Sequence, residues 1–394
     1  MENLSKKIKS TSLVLLCLIL TLLVRYIGKD FVSGDMKVCL LEWFGYMKSN
    51  GGISCLSNQV GDYNLSYQTL IAFLTYIECN PLYLMKLPSI AFDYILAFWV
   101  ALIVRDFYKE KYPLCNKSYI IPIHYIAFFV TLMVPTVFVN SAFWGQCDAM
   151  YTSFVLGTLY FLRRKSYFAS AICLGFAFAC KLQTIFILPF LGAYIIKAKE
   201  WKVFLYTPLA FAAFWITGIF AYLQGRDMWA TIDLYILQSK DYPEMYLNFS
   251  SFWGCFGKYT QNYDVFSKPA IVLAIVVCMI GLIYYIKSSR YTDTSSYYAF
   301  AAWSVWTVVL LLPSMHERYA FMADALLVIL CFMNYKYIPF AVLAICTSLY
   351  CYCLYFFGWD PPHGHPIQSL VYTLAYMGFT IYMFREQKKQ IVYE

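Results

Sequence analysis

The sequence predicts an all-α polytopic membrane protein with about twelve transmembrane helices and no sizeable soluble domain. Three observations predict it. Of 394 residues, 61% are hydrophobic, 20% are aromatic and only 13% are charged, against about a quarter charged in soluble domains. Long apolar runs, separated by short basic turns, fill most of the chain. The length suits twelve spans of ~20 residues with short connections.

The runs fall at about 10–28, 84–105, 118–139, 148–162, 166–180, 182–196, 203–224, 269–286, 296–312, 319–334, 337–357 and 366–384. The first follows Lys6, Lys7 and Lys9 and resembles a signal peptide. It ends in Val24-Arg25-Tyr26 with no small-residue cleavage site, so it reads as an uncleaved span. Arg163-Arg164-Lys165 separates the fourth run from the fifth, and three consecutive cations require a turn outside hydrocarbon. The short stretch 66–77 reads as part of the first large loop.

With the N-terminus inside, alternation through twelve spans places nineteen of the thirty Lys and Arg residues in inner segments, mostly short turns. Among them are Arg105, Lys117, Lys197, Lys287, Lys336, Arg385, Lys388 and Lys389. Both termini are therefore expected in the cytoplasm. This topology accounts for the net charge of +8 without nucleic acid. It makes residues 1–394 one membrane domain, with large outer loops at 29–83 and 225–268. The first loop carries an amphipathic stretch, Val38 to Met47, expected to form an interfacial helix.

The 14 cysteines lie mostly in apolar runs, as small hydrophobes do. A Cys55–Cys79 bridge is conceivable in the first loop. No zinc spacing, Walker motif or Rossmann glycine pattern occurs.

Polar clusters collect on the predicted outer side. Ser33-Gly34-Asp35 follows the first span. An acid at the membrane surface suits a general base, and Asp is equally a favoured helix cap. Asn140 to Asp148 joins two spans and contains Trp144, Gln146 and Asp148, either a contact surface for a sugar or head group or an interfacial tryptophan with Asp148 as a helix cap. Lys181 and Gln183 sit between two short runs, where a lysine either snorkels or neutralises a phosphate. His316-Glu317-Arg318-Tyr319 sits between two spans; Arg suits bidentate phosphate contact, and the alternative is a satisfied loop network. Asp93 and Asp324 lie within spans, as functional groups or as pairs inside the bundle. Trp359 to Pro366 is a proline-rich outer turn. Sequons at Asn64 and Asn248 matter only in a eukaryotic secretory compartment.

Together these motifs resemble the GT-C class of membrane glycosyltransferases, and more closely the bacterial mannosyltransferase-like family related to the second GPI mannosyltransferase. The matching pattern is Ser33-Gly34-Asp35 after the first span, Trp144-Gly145-Gln146 with Asp148, Lys181 and Gln183, a segment around Asn248 to Trp253, and the His316 to Tyr319 run; the Trp-Gly-Gln-x-Asp and His-Glu-Arg-Tyr runs on one face are its specific part. The resemblance implies inverting transfer of a hexose from a polyprenyl-phosphate donor of the undecaprenyl type. The acceptor is a glycan or glycolipid, such as a surface polysaccharide or O-antigen. It implies Asp35 as catalytic base, Lys181, Arg318 and His316 at the donor phosphate, and Trp144, Gln146, Asp148, Gln183, Glu317 and Tyr319 as substrate contacts. No cofactor is named, although a divalent cation is left open. The implied location is a bacterial inner membrane with an outward-facing site. A flippase or transporter of lipid-linked sugar is the rival reading; it calls for polar residues at both faces.

Overall fold

The structure, a computed structural model, describes residues 2–113, 122–238, 242–260, 262–359 and 365–389. The side chains of Lys6, Lys7, Lys9, Lys388 and Lys389 lie outside the described residues, as do all of Lys117 and segment 360–364 of the proline-rich turn. The fold is helical throughout, with no strand among the described residues.

Among the described residues, four helices are long and apolar enough to cross a membrane: Pro81–Lys111, Tyr263–Lys287, Tyr335–Phe357 and Pro366–Arg385. A fifth span results if Ile123–Met133 and Pro135–Trp144, bent by 53°, are taken together. Several other runs fold as shorter apolar helices, including Ser12–Gly28, Tyr167–Cys180, Leu182–Ala198 and Phe321–Met333. Proline contributes to the breaks: Pro135 opens a new helix where Val134 turns extended, since a residue before proline is pushed out of the helical region.

The chain divides into two compact units. The first comprises residues 1–182 and 208–235, the second 183–207 and 236–394. In the first, α1 (Glu2–Gly28) precedes a π-helical turn at Met36–Leu40, which runs on into α2 (Leu41–Ser49). Met36, Leu40, Phe44 and Met47 are buried at helical spacing, while Val38, Glu42, Gly45 and Tyr46 are exposed. The buried side meets Leu56, Leu65 and Ile71. The stretch 66–77 forms α3 (Leu65–Leu74), and α4 is Pro81–Lys111. After α5 (Ile123–Met133) and the short α6 (Pro135–Phe138), a π-helical segment Val139–Trp144 leads to α7 (Asp148–Arg163) and α8 (Tyr167–Cys180). The Arg163-Arg164-Lys165 turn lies between the last two, with Arg163 on Glu110 at 3.1 Å and Arg164 on Asp106 at 3.4 Å. Helix α4 packs against both α5 and α7, and α7 packs against α8.

Helices α10 (Thr207–Ile216), α11 (Ile219–Leu223) and α12 (Ala230–Gln238) lie in the chain between α9 (Leu188–Ala198) and α13 (Tyr263–Lys287). In the second unit, α9 packs on α13, and α13 on α14 (Thr294–Leu311). Every residue of α14 except Ser295 is buried. By contrast α13 exposes Ile271, Val272, Leu273, Ile275, Val276, Met279, Ile280 and Ile283. Water-soluble proteins rarely leave such a surface uncovered; a bilayer solvates it.

Two expectations change. Cys55 is buried and Cys79 exposed, and both are free thiols, so no bridge joins them. Asn64 is also unsuited to glycosylation in the folded chain. Its side chain caps α3 by accepting from Leu65 N at 2.6 Å, donates to Thr231 O at 3.2 Å, and is only 1% exposed.

Candidate active site

In the first unit the candidate residues gather around one carboxylate. Trp144 Nε1 donates to Asp35 Oδ2 at 3.0 Å, and Gln146 Nε2 donates to the same oxygen at 2.7 Å. Asp35 occupies the residue preceding the Met36–Leu40 turn but makes no side-chain cap there. Its carboxylate is held from across the fold instead. It remains half-buried, while Trp144 and Gln146 are buried.

Local chemistry explains why these groups meet. Gly145 lies in the left-handed region at φ 79°, which lets the chain reverse between Trp144 and Gln146 so that both side chains reach Asp35. A Cβ on Gly145 would also lie 2.2 Å from Met36 Cε. Ser33 Oγ fastens the two segments, donating to Trp144 O at 3.0 Å and accepting from Met36 N at 3.1 Å.

A second pair sits nearby in sequence. Lys181 Nζ lies 2.5 Å from Asp148 Oδ1, and Asn140 Nδ2 donates to Asp148 Oδ2 at 2.8 Å. All three residues are buried. Lys181 thus neither snorkels nor stands as an isolated charge; it closes the end of α8 onto the start of α7. Its ammonium also lies 6.0 Å from the rings of both Tyr63 and Tyr151.

Three further residues that no motif marks as site candidates, Lys86, Arg25 and Tyr63, shape this region. Lys86 is 1% exposed and donates to three carbonyls, Gly28 O at 2.8 Å, Lys29 O at 3.2 Å and Phe31 O at 2.6 Å. It closes the C-terminal end of α1, where unsatisfied carbonyls favour a cation. Arg25 pairs with Asp93 at 2.7 Å, and Ser141 Oγ donates to the same carboxylate at 2.5 Å. Asp93 is therefore paired inside the bundle, tying α1 and α4 to the segment that carries Trp144. Tyr63 donates its hydroxyl to Gln146 Oε1 at 2.6 Å. A lysine or arginine near a span end and a tyrosine in a loop are ordinary in membrane sequences, so nothing local distinguishes them.

The remaining candidates belong to the second unit. Arg318 NH1 donates to Glu317 Oε1 at 3.1 Å, and His316 Nδ1 stands 3.9 Å from Glu317 Oε2. Burial works to raise the Glu317 carboxyl, but the neighbouring His316 ring and the Arg318 charge outweigh it, so it lies below its ordinary value. The His316 ring meets Tyr242 edge-on at 4.6 Å and Tyr319 at 5.1 Å. Gln183 is half-buried, and its Oε1 is buried without a hydrogen-bond partner among the described residues. Asp324 is buried near the start of α15 (Phe321–Met333). Among the described residues no group of three His, Cys, Asp or Glu side chains could hold a metal ion.

An all-helical chain with several apolar spans and a hydrogen-bonded carboxylate between its segments belongs to the class of integral membrane proteins. The profile of Glycosyltransferase family 87 matches residues 70–314, more than half of the sequence, and the chain belongs to that family of GT-C-like membrane glycosyltransferases. No curated protein matches it. Trp144, Gln146, Asp148, Lys181 and Gln183 fall inside the matched segment, whereas Asp35 and the His316 to Tyr319 run fall outside it.

Proposed function

We propose that this glycosyltransferase moves a hexose from a polyprenyl-phosphate donor to a glycan or glycolipid acceptor, with inversion, and that Asp35 is its catalytic base. The observation that carries the reading is the Asp35 carboxylate, fixed by Trp144 Nε1 and Gln146 Nε2 and still partly accessible. A base must be held in place yet reach the hydroxyl it deprotonates.

In the proposed step the acceptor hydroxyl gives its proton to Asp35 as its oxygen attacks the anomeric carbon. The bond from that carbon to the phosphate oxygen breaks, and its electron pair leaves with polyprenyl phosphate. Charge grows on the departing phosphate, where a cation stabilises it. Lys181 in the first unit, and Arg318 and His316 in the second, are the candidates. Trp144 and Gln146 use their N–H groups on Asp35, so their proposed role is to hold the base. Asp148 orients Lys181, Glu317 orients Arg318, and Gln183 and Tyr319 are proposed sugar contacts.

The finer assignment rests on the motifs: kinship with relatives of the second GPI mannosyltransferase, and an undecaprenyl-type donor of mannose or glucose. So does the acceptor, a surface polysaccharide or O-antigen. The proposal extends to twelve spans, argued from the apolar runs, to cytoplasmic termini and an outward-facing site, argued from the charge bias, and to a bacterial inner membrane, argued from the family resemblance.

The test is sugar transfer by purified protein from a panel of polyprenyl-phosphate sugars, comparing wild type with Asp35→Asn. The expected loss in Asp35→Asn is about a hundred- to ten-thousand-fold, the usual contribution of a positioned base. Equal transfer by the two proteins removes Asp35 from the chemistry.

A further inference from the structure

We infer that Tyr63 is a positioning residue for the transfer reaction, acting on Asp35 through the Gln146 amide. The inference rests on the proposed role of Asp35.

An ionised carboxylate only accepts hydrogen bonds. Asp35 therefore selects the Nε2 end of Gln146, which it meets at 2.7 Å. The Oε1 end then faces away, and Tyr63 donates to it at 2.6 Å. Reversing the amide would set two acceptors, Oε1 and the carboxylate, against each other. The Tyr63 hydroxyl thus keeps the donor end of Gln146 on the base.

The fold holds Tyr63 firmly for this purpose. Gln68 is 0% exposed and uses both ends of its amide on the Tyr63 loop, with Nε2 donating to Tyr63 O at 2.7 Å and Oε1 accepting from Val60 N at 3.2 Å. Gln59 Nε2 donates to Gly61 O at 2.5 Å, and Arg226 donates to the Gln59 side chain. Gly61 stands at φ 71°, and the Trp43 indole lies 2.3 Å from where its Cβ would be. The Trp43 ring in turn meets the Tyr63 ring edge-on at 5.6 Å, and Tyr67 packs against Tyr63 at 4.7 Å. A loop side chain so restrained is a supporting layer whose hydrogen bond fixes the group in front of it.

The test is a cycle of Tyr63→Phe, Gln146→Leu and the double variant, with Asp35→Asn alongside. Tyr63→Phe keeps the ring and its packing. It is expected to lower kcat about tenfold, the kinetic equivalent of one hydrogen bond, with KM for the donor within about twofold of wild type. The double variant is expected to match Gln146→Leu alone, because coupled residues are not additive. Losses that multiply, or a raised KM with kcat unchanged, overturn the inference. Loss of the Asp35 base role is read separately, as equal transfer by wild type and Asp35→Asn. In that case, or if no donor is used, the unfolding midpoints of Tyr63→Phe, Asp35→Asn and their double variant decide the linkage. Non-additive midpoints support it, and additive ones overturn it.

Discussion

The two units carry their charged candidates in opposite ways. In the first, three contacts join residues far apart in sequence: Asp35 with Trp144 across 109 positions, Arg25 with Asp93 across 68, and Lys181 with Asp148 across 33. In the second, Glu317 pairs with its immediate neighbours, Arg318 at 3.1 Å and His316 at 3.9 Å. A long-range pair exists only while the helices that bring it together stay packed. A pair of neighbours needs little beyond its own loop. The first arrangement couples a site to the whole unit, whereas the Glu317 pair forms within its own loop even as the His316 ring reaches out to Tyr242.

The sharpest way to break this contrast is at Asp93. Arg25 and Asp93 are 3% and 0% exposed, and no solvent relieves either if its partner is removed. Asp93→Ala is expected to destabilise the protein by roughly 3–5 kcal/mol, the usual cost of an uncompensated buried charge. Replacing both, as Arg25→Met with Asp93→Leu, should restore much of that stability, since a buried ion pair is often no better than apolar packing. Unfolding midpoints in detergent measure both variants. A mild Asp93→Ala would mean that the Arg25 side chain finds another anion or water, and that the pair does not hold the first unit together.

How much of this was legible in the sequence follows from the same distinction. Asp35, Trp144, Gln146 and Lys181 drew attention by residue type, because acids, amides and cations are conspicuous beside apolar runs. Their meeting was not readable, since it depends on Gly145 reversing the chain and on α1 and α4 packing at the correct height. Tyr63, Lys86 and Arg25 were missed for the opposite reason: each is a common residue in an ordinary place. The helical fold was legible from hydropathy, and Arg163-Arg164-Lys165 marked its turn correctly. The conceivable Cys55–Cys79 bridge is not formed, and the Asn64 sequon is buried as a cap, because local patterns say nothing about burial.

A smaller effect is expected at Lys86, which tests whether the first unit's long-range contacts also position Asp35. Lys86→Met keeps the apolar stem and removes three hydrogen bonds to the end of α1. The carbonyls of Gly28, Lys29 and Phe31 then need other donors. A loss of about 1–3 kcal/mol is expected, the range for leaving buried polar groups unmade. Hydrogen exchange over residues 28–36 should rise more than exchange in α7, because the latch acts on the segment leading into Asp35. Equal protection in both segments would show that Lys86 fixes the fold generally and not this connection.

The smallest effect belongs to the local pair of the second unit. Glu317 has a folded-state value below that of the unfolded chain, so the stability it contributes is complete above the ordinary glutamate range, about 4.3. That stability is lost as pH falls through the lower folded value. Glu317→Gln removes the titration while keeping the shape. Its unfolding midpoint should therefore lie below wild type at neutral pH and approach it as the medium is acidified through this window. Arg318 and His316 each retain some solvent contact, with side chains 16% exposed, and water can take over part of what Glu317 provides. The cost at neutral pH should stay well under that of Asp93→Ala. If Glu317→Gln instead matched Asp93→Ala in size, the neighbouring pair would be as deeply tied to its unit as the distant one, and the contrast between local and long-range charge would fail.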